Sequence, residues 1–437
     1  MGAGVGVGDA GEAVTVAWLG AGEAEAGAGW DAVVPDEHAT TDDATNALHA
    51  RTMDRQDRRR ITTHPCVGRK SRSIVRAGCR RNVVARRDDD LADAQRCDHL
   101  HRMVEERFLV TGALGCVGAW TVRELVREDA AVVGFDIGED RRRLRLILTE
   151  DELEAVPLVA GDITDLTSIE RAIADHGITN VIHLAALQIP FCRADPPLGA
   201  RVNVVGTVNV FEAVRRRVAA GDALGPIVYA GSIGMFSPGD VDSASGQLRE
   251  DAEPHPGNLY GVTKLANEGT AHVYWTEHRL ASVGVRPMTV FGAGRDQGMT
   301  SSPTVAIAAA VLGVPYRITF GGSTLFQYTQ DVARTLLLAS RSAPVEPRVF
   351  NLGGNPVSID AWIEAINAAV PGATDLLSHE STPLPFPADI EHARLVELGP
   401  VPVTPYRDAI AATAGIFGRF AAEGRLDGRQ QGIPAAS

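Results

Sequence analysis

From Met103 onward, short apolar runs alternate with amphipathic stretches, a pattern that predicts a parallel β-sheet covered by helices on both faces. Residues 106–111 (Glu-Arg-Phe-Leu-Val-Thr) read as a short buried strand, with an amphipathic helix over roughly 119–127. Further strands are predicted over 131–135, 158–162, 180–186 and 226–232. Asn203 opens a helix whose apolar positions run through Val208, Val210 and Phe211 to Val214. Beyond Arg286 the pattern predicts helices near 302–312, 332–340 and 359–370 and a strand over 349–353. Pro383, Pro385 and Pro387 mark a loop, and the tail after Gly424 reads as frayed. The expected architecture is a doubly wound parallel α/β sheet over 103–285, a smaller α/β lobe over 286–424 and a loose end over 425–437.

The first 102 residues look different. An Ala/Gly-rich run is followed by a basic one, in which residues 51–87 carry 13 Lys/Arg against two acids. Neither helical nor strand periodicity is sustained, so this leader is expected to be disordered. Gly6-Val-Gly8-Asp-Ala-Gly11 matches a dinucleotide fingerprint letter for letter, but no strand precedes it, and it reads as low complexity. Met103 stands five residues before the first strand core, which suggests that translation begins there and that residues 1–102 are a mis-assigned or dispensable leader.

The first chemical signal lies where the strand over 106–111 runs into Gly112-Ala-Leu-Gly115-Cys116-Val117-Gly118. Glycines at this spacing permit a tight strand-to-helix turn and let backbone approach a pyrophosphate at the helix N-terminus. The second strand ends at Asp136, about twenty residues on, where an acid accepts ribose hydroxyls and repels a 2′-phosphate. NAD is therefore expected over NADP, although Arg141, Arg142 and Arg143 follow closely. The second signal is Tyr260-Gly-Val-Thr-Lys264, whose lysine is the only one after Met103. Residues four apart share a helix face. A cation placed there favours phenolate and suits tyrosine to general base work. Ser232, after the strand over 226–232, puts a hydroxyl at the sheet edge where open α/β sheets bind ligands, with Ser237 as its nearest rival. His183 is expected to be a core histidine, turned away from the mouth of the site by strand alternation.

In order along the chain stand Thr111-Gly-x-x-Gly-x-x-Gly118, Asp136, Gly161-Asp162-Ile163, Val181-Ile-His-Leu-Ala-Ala186, Asn203-Val-Val-Gly-Thr207, Val228-Tyr-Ala-Gly-Ser232, Tyr260-x-x-x-Lys264 and Arg286-Pro287. With these landmarks residues 103 to about 420 resemble an extended short-chain dehydrogenase/reductase of the NAD-dependent epimerase/dehydratase type. The resemblance implies a Rossmann-type sheet, NAD as cofactor, and proton abstraction by Tyr260 with hydride transfer from a hydroxyl-bearing carbon of a sugar, sugar acid or sugar nucleotide. It makes Ser232, Tyr260 and Lys264 the catalytic set. It places Asp162 and Ile163 near the adenine, Leu184, Ala185 and Ala186 along the nicotinamide side, and Asn203 and Pro287 in the cofactor region. Gln188, Ser232, Thr289 and Arg295 are its candidate substrate contacts, in a substrate-binding lobe built after Arg286. Relatives commonly dimerise through the helix carrying the tyrosine and the one before it, so a homodimer is expected.

The chain also departs from that pattern. Ile233 and Gly234 follow Ser232 where dehydratases place acids, so elimination is not expected. Thr289 stands where sugar-nucleotide epimerases carry Asn, and Thr324 where they carry a diphosphate-gripping Arg. A smaller polyol, sugar or sugar acid is thus at least an equal candidate, with Arg295 as an alternative anion clamp. The Ala-Gly-Ser-Ile-Gly-Met-Phe-Ser loop over 230–237 keeps a second class open, an idle NAD-binding sensor or scaffold.

A net charge of −13 argues against nucleic-acid and anionic-membrane partners, and no run reaches membrane-span length. Cys66, Cys79 and Cys97 lie in the leader, while Cys116 and Cys192 stand in no metal-ligand spacing and read as small apolar fillers in a reducing cytoplasm, so no metal is expected.

Overall fold

The computed structural model describes residues 105–344 and 346–434. The leader over 1–102, its decoy glycines, its three cysteines and the suggested start at Met103 all lie outside the described residues.

Among the described residues, seven parallel strands form the central sheet: β1 (Arg107–Thr111), β2 (Ala131–Asp136), β3 (Leu158–Ala160), β4 (Asn180–His183), β5 (Ile227–Ala230), β6 (Ser282–Arg286) and β10 (Arg348–Asn351), in the order β10-β6-β5-β4-β1-β2-β3. The near-continuous burial of β1, β2, β4 and β6 is what a sheet covered on both faces requires. Chain order reverses between β1 and β4, which opens a crevice at the carboxyl ends of these two strands.

Helix α1 (Cys116–Arg127) begins three residues earlier than expected, directly at the glycine turn. Helix α2 (Leu166–Asp175) packs against α3 (Gly206–Ala219), and the tyrosine and lysine lie on α4 (Leu259–His278). Asn203 does not open a helix. It sits inside a π-helical turn over Arg201–Val205 that leads into α3, a local widening that turns its amide into the interior.

After Arg286 the chain leaves the sheet as β7 (Thr289–Phe291) and builds small sheets of its own. Strands β9 (Ser323–Tyr328) and β11 (Asn355–Ser358) join β7, and β8 (Tyr316–Ile318) pairs with β12 (Leu377–His379). Helices α5 (Ser302–Leu312), α6 (Thr329–Ser340), α7 (Ile359–Ala369) and α8 (Tyr406–Ala422) complete this region. The lobe is interleaved with the core. β10 returns to pair with β6, and α6 packs on α1.

The expectation of a frayed end does not hold for residues 425–434. Ile433 is buried in the main apolar cluster and Gly432 packs beside Val305 of α5, where a Cβ would lie 3.2 Å from it.

Candidate active site

The glycine turn sits at the strand-order reversal. Gly112 has φ +71°, open to glycine at little cost, and a Cβ there would come within 2.7 Å of the Ala185 amide nitrogen. A Cβ at Gly118 would collide with the Gly112 carbonyl oxygen, whereas one at Gly115 would lie 3.1 Å from that oxygen. No side chain caps the N-terminus of α1 at Gly115, so the first-turn amides are left without a side-chain acceptor, as an anion-binding helix end requires. The Cys116 thiol lies 3.9 Å from the Thr329 hydroxyl, and burial pushes its pKa up.

Asp136 ends β2 with its carboxylate fixed from both sides. Oδ2 accepts from the Leu114 amide at 2.9 Å and Oδ1 from the Gly138 amide at 3.1 Å. Asp162 accepts from the Thr164 amide at 2.8 Å, while Ile163 is buried against Gly206. Leu184, Ala185 and Ala186 are half-buried along the loop after β4, beside Gly112.

The second cluster forms where β5 ends and α4 begins. Asn258 caps α4 by accepting from the Gly261 amide at 3.0 Å, which sets Tyr260 in the first turn and Lys264 one turn on. Lys264 is 4% exposed, donates from Nζ to the Ala230 carbonyl at 2.8 Å and lies 5.6 Å from the Tyr260 ring centre. Among the described residues it enters no ion pair. Ser232 Oγ accepts from the Gly234 amide at 3.0 Å. A Cβ on Gly234 would stand 3.1 Å from that oxygen and 3.4 Å from the Tyr260 ring, so a bare glycine is the spacer between the two side chains. Ser237, the rival serine, donates to the His255 carbonyl and closes its own surface turn. The Pro287 carbonyl accepts from the Ile233 amide at 3.0 Å and braces the loop from behind.

A chain of neutral hydrogen bonds links the two clusters. Thr111 Oγ1 meets His183 Nδ1 at 2.7 Å, and His183 Nε2 meets Thr207 Oγ1 at 3.0 Å. Thr207 donates to the Asn203 carbonyl, the Asn203 amide donates to Thr263 Oγ1, and Thr263 donates to the Tyr260 carbonyl. Since the Thr207 proton is committed to Asn203, the histidine proton sits on Nε2 and Nδ1 accepts from Thr111. His183 is thus the core histidine its strand position suggested, and burial, aided by the Lys264 charge, pulls its pKa down to about 3. The Asn203 side chain also binds both backbone groups of Leu187, at 2.7 and 2.9 Å, so its contacts shape the loop that borders the crevice.

Of the candidate substrate contacts, Gln188 and Arg295 come together. Arg295 donates to Gln188 Oε1 at 3.2 Å and to Thr300 at 3.1 Å, and its Nε has no partner among the described residues. Withdrawal from water lowers its pKa from the usual arginine value, with the side chains of Cys116 and Tyr260 close enough to act on it electrostatically. Thr289 is not brought to this group. It is 1% exposed, and its hydroxyl bonds that of Thr324 at 2.8 Å.

Pattern reading passed over Thr111, Thr207, Thr263 and Gly234, all of which lie inside or beside the motifs, where their positions could have flagged them. It also passed over Asp296, which no local signal marks because its partners Arg142 and Arg143 are more than 150 residues away.

Residues 108–353, more than half of the chain, match the model of the NAD dependent epimerase/dehydratase family. UDP-glucuronate 4-epimerase 4 of Arabidopsis thaliana is 28% identical over 59% of this chain and 62% of its own length, so this match spans less than two thirds of that relative. UDP-glucose 4-epimerase of Mycolicibacterium smegmatis is 28% identical over 71% of this chain and 96% of its own. Among solved structures, the UDP-glucose 4-epimerase of Thermus thermophilus in complex with NAD superposes with a TM-score of 0.60 at 24% identity, over 71% of this chain and 98% of that one, a likeness of fold.

Proposed function

The chain belongs to the NAD dependent epimerase/dehydratase family, and from that premise we propose that it is an NAD-dependent epimerase or dehydrogenase acting on a hydroxyl of a sugar, sugar acid or sugar nucleotide. The observation that carries the reading is the convergence of Ser232 and Tyr260 on either side of Gly234, with the buried ammonium of Lys264 behind the ring. The crevice fits the dinucleotide by its own construction. It has a backbone cradle that a Cβ at Gly112 or Gly118 would fill, an uncapped helix N-terminus and a fixed acid at Asp136.

In this reading Tyr260 takes the proton of the substrate hydroxyl and Ser232 donates a hydrogen bond to the same oxygen. Lys264, held by the Ala230 carbonyl, attracts the negative charge that forms on Tyr260 and addresses the nicotinamide ribose. Bound NAD supplies the hydride acceptor. Gln188 and Arg295 orient the substrate, and the guanidinium suits an anionic or hydroxyl-rich group. No helix among the described residues is long and apolar enough to cross a membrane, and a cytoplasmic site belongs to the same reading. So does a homodimer, since Leu259, Val262 and Val273 form an exposed apolar stripe on α4 at helical spacing.

The test is to denature freshly purified full-length protein, quantify released nicotinamide cofactor, and then offer the native protein UDP-hexoses, UDP-uronates, free aldoses and sugar acids. Near-stoichiometric NAD with product but no net NADH indicates epimerisation, and exchangeable cofactor with net NADH indicates a dehydrogenase. Tight NAD binding without turnover of any of these would favour the sensor reading, and failure to bind NAD would sink the proposal.

A further inference from the structure

Arg142 and Arg143 follow the ribose-reading acid by six and seven residues, where free guanidinium groups would attract the 2′-phosphate of NADP. They are not free. Both oxygens of Asp296 accept from Arg143, through Nε at 3.2 Å to each and Nη2 at 2.6 Å to Oδ1, and Arg142 Nη2 adds a bond at 3.1 Å to Oδ2. The Asp296 side chain is 3% exposed, so solvent does not compete for these bonds. Arg143 lies beside the acid it would have to work with. Its Nη1 donates to the Leu114 carbonyl at 3.0 Å, while the Leu114 amide donates to Asp136. The acid and the guanidinium thus hold opposite ends of one residue in the glycine turn.

We propose that Asp296 is a specificity-determining residue for the dinucleotide, which excludes NADP by tying up Arg143 and Arg142, independently of the repulsion exerted by Asp136. This rests on the assignment of the crevice to NAD. Discrimination then has two layers: an acid that disfavours the 2′-phosphate, and a second acid, from the loop after β7, that ties up the two partly buried arginines of the three that follow Asp136, Arg141 being exposed and Arg142 shared with Asp140. A guanidinium–phosphate hydrogen bond contributes roughly 1.5–3 kcal/mol, equivalent to about 10- to 150-fold in affinity.

Full-length protein is titrated with NAD+ and NADP+ by calorimetry as wild type, Asp136→Ala, Asp136→Ala/Asp296→Asn, and the latter with Arg143→Ala added. With the repelling acid gone but the arginines still tied, Asp136→Ala should gain less than about threefold in NADP+ affinity. Adding Asp296→Asn should then gain at least about tenfold over Asp136→Ala, and adding Arg143→Ala should remove most of that gain. A full gain from Asp136→Ala alone, or a folded double variant that gains nothing over it, overturns the proposal. If loss of Asp296 costs the fold, as monitored by circular dichroism melting, Asp136→Ala/Arg143→Ala decides: NADP+ affinity equal to that of Asp136→Ala upholds the proposal, since a tied arginine contributes nothing, and a loss of about tenfold overturns it. Wild type that binds neither dinucleotide would instead refute the NAD assignment itself, so the two failures are distinguishable.

Discussion

The cofactor half and the lobe after Arg286 bury polar groups in opposite ways. In the first, the chain from Thr111 through His183, Thr207, Asn203 and Thr263 to the Tyr260 backbone consists of neutral groups. The second is fastened to the first by ion pairs. Asp296 holds Arg142 and Arg143, and Arg334 of α6 reaches Glu124 of α1 at 2.8 Å. The difference teaches where fixed charge is allowed to act. Around the candidate chemistry the unpaired charges are few, chiefly Asp136, Lys264 and Arg295, and in a poorly solvated crevice their fields are weakly screened. At the seam, charges neutralise one another and serve as fasteners.

That contrast can be broken from either side. The largest effect is expected at the exception inside the cofactor half, the buried ion pair that joins Glu268 of α4 to Arg286 at the end of β6, at 2.6 and 2.7 Å. Glu268→Ala leaves the guanidinium of Arg286 buried without its carboxylate and should cost about 3–5 kcal/mol in denaturant unfolding. The double change Glu268→Leu/Arg286→Met should recover much of that loss, and a single variant of wild-type stability would show that the pair does not tie α4 to the sheet. Next comes the neutral chain. Asn203→Ala strands the Leu187 backbone and the Thr263 hydroxyl and should cost about 1–3 kcal/mol. It should also lower kcat more than it raises KM, because it loosens the Tyr260 backbone rather than a substrate contact. The smallest effect is a pH slope. The His183 pKa is depressed to about 3 in the fold, so the unfolded chain takes up a proton that the native protein refuses. Its stabilising share is complete above about pH 6.5 and declines toward pH 3, by up to about 1.4 kcal/mol per pH unit. His183→Asn should remove that component from the acid limb of the stability profile. An unchanged profile would mean that His183 is not held neutral.

The contrast also explains how much was legible in the sequence. The strands, the glycine turn and the Tyr260–Lys264 helix could be read because each is local. A buried run, a glycine spacing and a one-turn offset declare themselves within a few residues. For Asn203 the motif implies a place in the cofactor region and its helix position an internal polar contact with equal weight; the π-helical turn that aims it at Leu187 and Thr263 has no periodic signature. Thr289 was a candidate substrate contact, but its hydroxyl is taken by Thr324, from a strand 35 residues on. The strands β8, β11 and β12 escape notice for the same reason, since segments of three or four residues are defined by the partners they meet. The packed stretch over 425–434 reads as loose because Leu426 and Ile433, alone among polar, glycine and proline residues, give no period until they meet the core.

The central claim is that Tyr260 moves the proton in an NAD-dependent step. Its most direct test is single-turnover reduction of NAD in wild type and Tyr260→Phe, using whichever sugar compound wild type accepts, with NAD+ affinity measured in parallel. The account predicts affinity within about threefold of wild type and reduction slowed by about 10²–10⁴-fold. A variant that reduces NAD at the wild-type rate would contradict it.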